Sequence, residues 1–359
     1  MKNIKVLPIL LVFVLSILTG CGGRQDSAQP EILSSSPSPP SAQGEPAHMT
    51  NAVNVSMSVK EKANEQHFRF VVSADSRGEK KNIHEEDIRS VMRRIKALKP
   101  QPSFMVTIGD LIRGSEDAKT LEQQYDEWKS VASEFYPLQF YYPAVGNHEM
   151  IMRDQGGLDA FDFAFKDTFT ANFYGHGYGR SVYYFDYGDA RFFVVNNYHP
   201  AHRHSVAPDV IKWLKDNTDK RKAFHFVFAH APGWPTGAHV NSSMDKYPDK
   251  RNAFWEVVDA MPGALFFAGH EHNYSRTQID STFSEIVNGT HYAFKNTVQQ
   301  VVVGGFGSKV HTRFKSRKGV IVKPQPVCCY AVIDVYSDRV HVRAYDVSDN
   351  ILDDFTVTR

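Results

Sequence analysis

The sequence predicts an α/β fold, and three observations predict it. From Phe68 onward, short apolar, β-rich runs alternate with stretches of helical periodicity. Five of those runs end abruptly in polar side chains of the kind that bind metals, at the carboxyl ends of strands where open α/β sheets build their sites. After Asn296 the helical periodicity gives way to strands alone.

The individual elements follow from periodicity. Phe68 to Ala74 reads as a strand, Ile88 to Leu98 as a helix, Phe104 to Ile108 as a strand and Leu121 to Phe135 as a helix. Further strands are expected at Phe140 to Val145, Ser181 to Tyr187, Arg191 to Asn196, Ala223 to Ala229 and Ala264 to Ala268. Helices are expected near Pro208 to Asp216 and Arg251 to Met261, and the final strands at Val298 to Val303, Val327 to Val335 and Arg339 to Val347. The 359 residues, 42% hydrophobic and 13% aromatic, suffice for a sizeable core. Lys plus Arg (41) balances Asp plus Glu (40), which leaves no basic footprint for nucleic acid.

The first residues read as an address. Lys2 and Lys5 precede an apolar run from Val6 to Leu18, too short for a comfortable membrane span, that ends in small residues. Leu18-Thr19-Gly20-Cys21 resembles the bacterial lipobox. The resemblance implies a signal peptide over 1–20, acylation of Cys21, and an extracytoplasmic chain anchored to the membrane by lipid. Residues 21–65, rich in Ser, Pro, Ala, Gln and Gly, read as a disordered tether, which leaves one domain over 66–359. Cys328 and Cys329 are adjacent, closer than a disulfide ordinarily spans, and read as small buried side chains.

The five strand ends carry the chemistry. Val71-Val72-Ser73-Ala74 delivers Asp75, and Met105-Val106-Thr107-Ile108-Gly109 delivers Asp110. Tyr142-Pro143-Ala144-Val145-Gly146 delivers Asn147, His148 and Glu149, while Phe226-Val227-Phe228-Ala229 delivers His230. Phe266-Phe267-Ala268-Gly269 delivers His270, Glu271 and His272. Singly each is a turn or a solvated loop; together, in this order, they form a joint signal. Carboxylate, imidazole and amide oxygen suit Zn, Fe or Mn better than Ca, which prefers oxygen alone.

The order and wording of these motifs resemble the calcineurin-like metallophosphoesterase family. His230-Ala231-Pro232-Gly233-Trp234 and Gly269-His270-Glu271-His272-Asn273-Tyr274-Ser275-Arg276 are most similar to its purple-acid-phosphatase-like branch. The resemblance runs from about Phe68 to Arg276. It implies a four-layer sandwich, two packed β-sheets flanked by helices, and one or two metal ions. Asp110 would bridge two positions, one completed by Asn147, His230 and His270 and the other by Asp75 and His272. Such a centre activates a water to hydrolyse phosphate esters. His148 would give a proton to, or stabilise, the leaving oxygen. Glu149 is expected to orient a ligand imidazole.

The chain departs from the family at one metal position. Most members carry Asp-x-His at the first motif, yet Asp75-Ser76 is followed here by Arg77, and the branch with a Tyr three residues after the bridging Asp has Arg113 there. Guanidinium cannot ligate metal. Arg77 and Arg113 are therefore expected either to offer a fork to substrate phosphate or to neutralise neighbouring carboxylates, and one metal is expected to be held tightly. His199, His202 and His204 could rim the cleft, and Trp234, Tyr274 and Phe306 either line a pocket or pack. The expected substrate is a phosphorylated small molecule or polymer, attacked as a phosphomonoester. Cleavage of phosphodiesters or nucleotides by the same centre, and a surface lipoprotein that only binds metal or phosphate, are the alternatives.

Overall fold

Residues 67–359 are described by a computed structural model and lie within one compact unit. The expected signal peptide, Cys21 and the tether lie outside the described residues. In chain order come β1 (Phe68–Ser73), α1 (Glu85–Ala97), β2 (Phe104–Ile108), α2 (Ala118–Ser133), β3 (Tyr141–Ala144), α3 (Gln155–Phe165), β4 (Asn172–Phe173), β5 (Tyr183–Tyr187) and β6 (Ala190–Val194). Then follow α4 (Pro208–Asp216), β7 (Phe224–Phe228), α5 (Pro248–Asp259), β8 (Ala264–Ala268), β9 (Tyr274–Ile279), β10 (Glu285–Val287), β11 (Thr290–Tyr292) and β12 (Val298–Val303). The chain closes with β13 (Val320–Gln325), β14 (Cys329–Val335), β15 (Arg339–Asp346) and β16 (Ile351–Thr358).

Two large sheets form. One has the order β16-β15-β14-β1-β2-β3, the other β13-β9-β12-β8-β7-β6-β5-β4. The strands that carry the candidate ligands form parallel pairs, β1 with β2, β2 with β3 at the sheet edge, and β7 with β8. These strands read as unbroken apolar runs because both their faces are covered. On the inner faces, Phe70 meets Phe226 edge-on at 5.0 Å and Phe104 meets Phe192 at 5.2 Å. Such aromatic pairs contribute beyond their buried area. The outer face of the second sheet packs Val227 and Phe266 into one cluster with Leu214, Phe254 and Trp255 of α4 and α5. The apolar faces of α1 and α2 join the first sheet's cluster. The expected sandwich of two sheets flanked by helices is therefore the observed one.

Two of the helices, α2 and α3, start at side-chain caps. In α1 the buried Ile88, Val91, Met92 and Ile95 repeat at helical spacing, with Glu85, Glu86 and Asp87 in its first turn, where the helix dipole favours them. α2 begins at Ala118, ahead of its first apolar residue, because the Asp117 side chain accepts a bond from Thr120 N at 2.8 Å. α3 escapes the periodicity reading, since Gly156-Gly157 at its start suggests a loop; Asp154 caps it by accepting from Gly156 N at 2.9 Å. β13 and β16 escape it too. They are the edges of their sheets, partly exposed, and one contains Pro324 and the other Asp353-Asp354. Cys328 and Cys329 are buried, and the Cys329 thiol donates to Gly304 O at 3.1 Å.

One charged clamp joins the sheets. Arg276 of β9 donates from Nε to Asp353 Oδ2 of β16 at 2.6 Å, and the Tyr274 hydroxyl donates to the same oxygen at 2.8 Å. Removing the carboxylate leaves both donors without an acceptor at a site 8–12% exposed. Asp353→Ala is therefore expected to cost about 2–3 kcal/mol, a fall of roughly 3–5 °C in Tm for a domain of this size. A thermal melt shifted by less than about 1 °C would show that the clamp contributes nothing net.

Candidate metal centre

Each predicted side chain leaves its strand through a tight turn. Asp75, Asp110, His270 and His272 have φ of 64°, 50°, 70° and 49° respectively, in the left-handed region that costs a side-chain-bearing residue free energy. Asp75 N donates to Gly109 O at 3.1 Å and Gly269 N to His230 O at 3.0 Å, so neighbouring turns lock one another. The small residues before the ligands are explained by crowding. A Cβ at Gly146 would lie 2.2 Å from Asp110 Oδ1, and one at Gly269 would lie 2.4 Å from the Ala74 Cβ, where the two sheets meet.

Five of the expected ligands, Asp75, Asp110, His230, His270 and His272, come together from both sheets, and Asn147 is held next to them by its neighbour His148, whose amide donates to Asp110 Oδ1 at 2.9 Å. Asp75, Asp110 and His272 bring ligand atoms within 4.8 Å of one another, all buried. His230 Nε2 lies 3.3 Å from Asp110 Oδ1 and 3.9 Å from Asp75 Oδ1, and His272 Nε2 lies 3.6 Å from Asp75 Oδ1. The ring orientations are set from behind. His230 Nδ1 donates to Ile108 O and His272 Nδ1 to Lys309 O, both at 2.7 Å, so each turns Nε2 toward the carboxylates. His270 is held the other way. Its Nε2 lies 3.0 Å from the Tyr198 hydroxyl and 3.3 Å from Ser242 O, which leaves Nδ1 as its ligand atom. Tyr198→Phe removes one of these two partners. It is expected to weaken metal binding by about 10-fold, read by competition with a chelator, and unchanged affinity would deny Tyr198 that positioning role.

The electrostatics call for a cation. Burial pushes the Asp75 carboxyl up to about 7. Burial also opposes ionisation of Asp110, but His230, His148 and Arg77 hold that carboxyl well below its usual range. Burial would lower the His230 imidazole, yet Asp110 and Asp75 beside it hold it at about 9. His270 and His272 are pushed well down by burial and so are neutral, the form that ligates. His230 Nε2 and Asn147 Oδ1 are buried with no hydrogen-bond partner. Buried polar atoms are normally satisfied, and a bound metal would satisfy both. Two carboxylates, three imidazoles and an amide oxygen thus fit a Zn, Mn or Fe ion.

Around this set the structure corrects and adds. Glu149 does not touch an imidazole: its carboxylate accepts from Gly146 N, Asp110 N, Leu111 N and Ile112 N at 2.6–3.3 Å, fastening two ligand-bearing turns together. Arg77 puts Nε 3.4 Å from Asp110 Oδ2, the neutralising placement, with Nη1 the same distance from Glu79. Arg113 is exposed and donates to Lys80 O at 3.1 Å. His148 Nε2 stands 3.9 Å from Asp110 Oδ2 while its Nδ1 bonds Arg113 O at 2.5 Å, apart from the ligand set. Of the loop histidines, His199 stacks on Tyr178 at 4.1 Å and His204 meets Tyr198 edge-on at 5.2 Å. Trp234, Tyr274 and Phe306 pack in the interior.

Two histidines at the site carry no sequence signal. His239 lies 4.0 Å from the His270 ring, and His311 stacks on His272 at 4.9 Å and 15°. Both sit in long loops, away from any strand-end motif, and only the fold brings them in. Glu271, buried between two ligands, accepts from His239 N at 3.1 Å and so holds that loop over the site.

No protein-family model and no curated protein sequence matches the chain. Among solved structures it is similar to the yellow lupin (Lupinus luteus) purple acid phosphatase PPD1, with TM-score 0.60 and 17% identity over 82% of this chain and 54% of that one. It shares the fold of that phosphatase. The chain spans about half the length of that phosphatase. It is also similar to PhoD, at TM-score 0.52 and 11% identity over 82% of this chain and 68% of that one. A third similar structure is GAP50, described as the anchor in the inner membrane complex of Plasmodium, at 0.52 and 11% over 81% and 89%.

Proposed function

We propose that this chain is a metal-dependent phosphomonoesterase, exported and held at an extracytoplasmic membrane face through acylated Cys21. The convergence of Asp75, Asp110, Asn147, His230, His270 and His272 carries the reading, with two of their donor atoms buried and unpartnered. Metal held by this set supplies Lewis acidity and acidifies water. One ion is expected to be tight, at Asp110, Asn147, His230 and His270. Beside Asp75 and His272, the Arg77 cation already faces Asp110 and repels a second ion.

The chain's own residues do the rest. Arg77 adds a fixed positive charge where a phosphoryl group gains negative charge. Because Arg113 O can only accept, His148 carries a proton on Nδ1, and in its imidazolium form the second proton on Nε2 is available to the leaving alkoxide. Glu149 and Glu271 hold the turns and the loop that position these groups. Purified protein given Mn or Zn is expected to hydrolyse p-nitrophenyl phosphate in preference to bis-p-nitrophenyl phosphate. The reverse preference would replace the monoesterase by a diesterase.

A further inference from the structure

The segment between β12 and β13 does more than close the fold. From Ser308 to Lys323, a residue of β13 itself, it carries six Lys or Arg and no Asp or Glu, in a chain whose net charge is only +1. It is fastened to the metal centre, since Ser308 N donates to Asp75 O at 3.0 Å, His272 Nδ1 to Lys309 O at 2.7 Å, and His311 N to His272 O at 3.2 Å. It then reaches the facing loop, where Lys315 N bonds Thr236 O at 2.8 Å and Arg317 pairs with Asp245 at 2.6 Å. The result is a basic strap tied down on both sides of the site.

Its charges are not all satisfied. Arg317 is committed to Asp245, Lys318 lies over the Phe283 ring and Lys323 over Phe314. Lys309, Arg313 and Lys315 are exposed, and among the described residues no carboxylate pairs with them. Arg77, Glu79, Lys309 and Arg313 all lie within Coulombic reach of His311; Glu79 pairs with Arg77 at 3.4 Å, which leaves Lys309 and Arg313 as net positive charge leading out along the strap. One phosphoryl group at the centre uses only the inner end of that track.

We propose that Lys309, Arg313 and Lys315 form a second anion subsite that holds a phosphate remote from the scissile one, so the substrate class is small molecules with two or more phosphates. This rests on the phosphoesterase reading, and the strap's attachment to the site favours a substrate over a membrane surface. The test is calorimetric binding of butylphosphonate and of butane-1,4-bisphosphonate, neither hydrolysable, to metal-loaded full-length protein. The wild type is expected to bind the bisphosphonate about 10-fold more tightly, a preference that fades as salt rises to about 0.5 M. In the variant Lys309→Ala/Arg313→Ala/Lys315→Ala the preference disappears while butylphosphonate binding holds within a factor of about two, because the backbone bond to His272 is untouched. Butylphosphonate binding with no bisphosphonate preference, or a preference surviving in the variant, overturns the subsite alone. A variant that loses only its binding to phosphatidylglycerol vesicles overturns it in favour of a membrane contact. Absence of binding by either phosphonate overturns the phosphoesterase reading with it.

Discussion

Asp110→Asn is expected to abolish turnover and deplete bound metal while leaving the circular dichroism spectrum unchanged. Asn tolerates the left-handed backbone at this position, where φ is 50°, and its carbonyl oxygen can still accept from His148 N, which bonds Asp110 Oδ1 at 2.9 Å. What the substitution removes is charge. That carboxylate faces His230 Nε2 on one oxygen and Arg77 on the other, and it is the group all the proposed metal contacts share. A loss of at least about 10³-fold in kcat, with metal content falling in parallel, is the expected signature. A near wild-type rate would remove the proposed centre altogether.

His148→Ala is expected to separate rate from metal content. The ring is partly exposed, lies 3.9 Å from Asp110 Oδ2 and is oriented by Arg113 O, so it stands beside the ligands without belonging to them. If it assists departure of the leaving alkoxide, kcat falls by about 10²- to 10⁴-fold with metal retained. A substrate with an acidic leaving group, such as p-nitrophenol, is expected to suffer less than an alkyl phosphate, because its anion needs less help. Loss of metal in proportion to activity would make His148 a ligand or a structural residue.

The cluster of candidate ligands was legible in the sequence because all but His272 follow the same local grammar: an apolar run, a small residue, then a polar side chain. Gly146 and Gly269 show why the small residue is there, since a methyl group at either would collide with Asp110 or Ala74. The apolar strands β7 and β8, and even the edge strand β3, were legible; the exposed edges β13 and β16 were not, nor was β9 inside its sheet, because its Tyr274-Ser275-Arg276-Thr277-Gln278 run is polar. α3 was hidden by glycines that a side-chain cap overrides. His239 and His311 were hidden for a different reason. Their role depends on loops folding back over the strand ends, held by Glu271 and by the bonds between His272 and the 309–311 segment, and no spacing along the chain encodes that contact. Glu149 was found but misassigned. A carboxylate beside ligands suggested an imidazole partner, whereas four turn amides left without strand partners claimed it first.

The most direct test of the metal-dependent phosphomonoesterase is the initial rate of p-nitrophenyl phosphate hydrolysis by chelator-stripped protein, before and after graded addition of Mn or Zn. The stripped protein is expected to be inactive, and the rate to be restored with a break near one equivalent of metal per chain, the ion held by Asp110, Asn147, His230 and His270. Hydrolysis that survives stripping, or none with any metal supplied, would contradict the account, the second result leaving a surface protein that only binds.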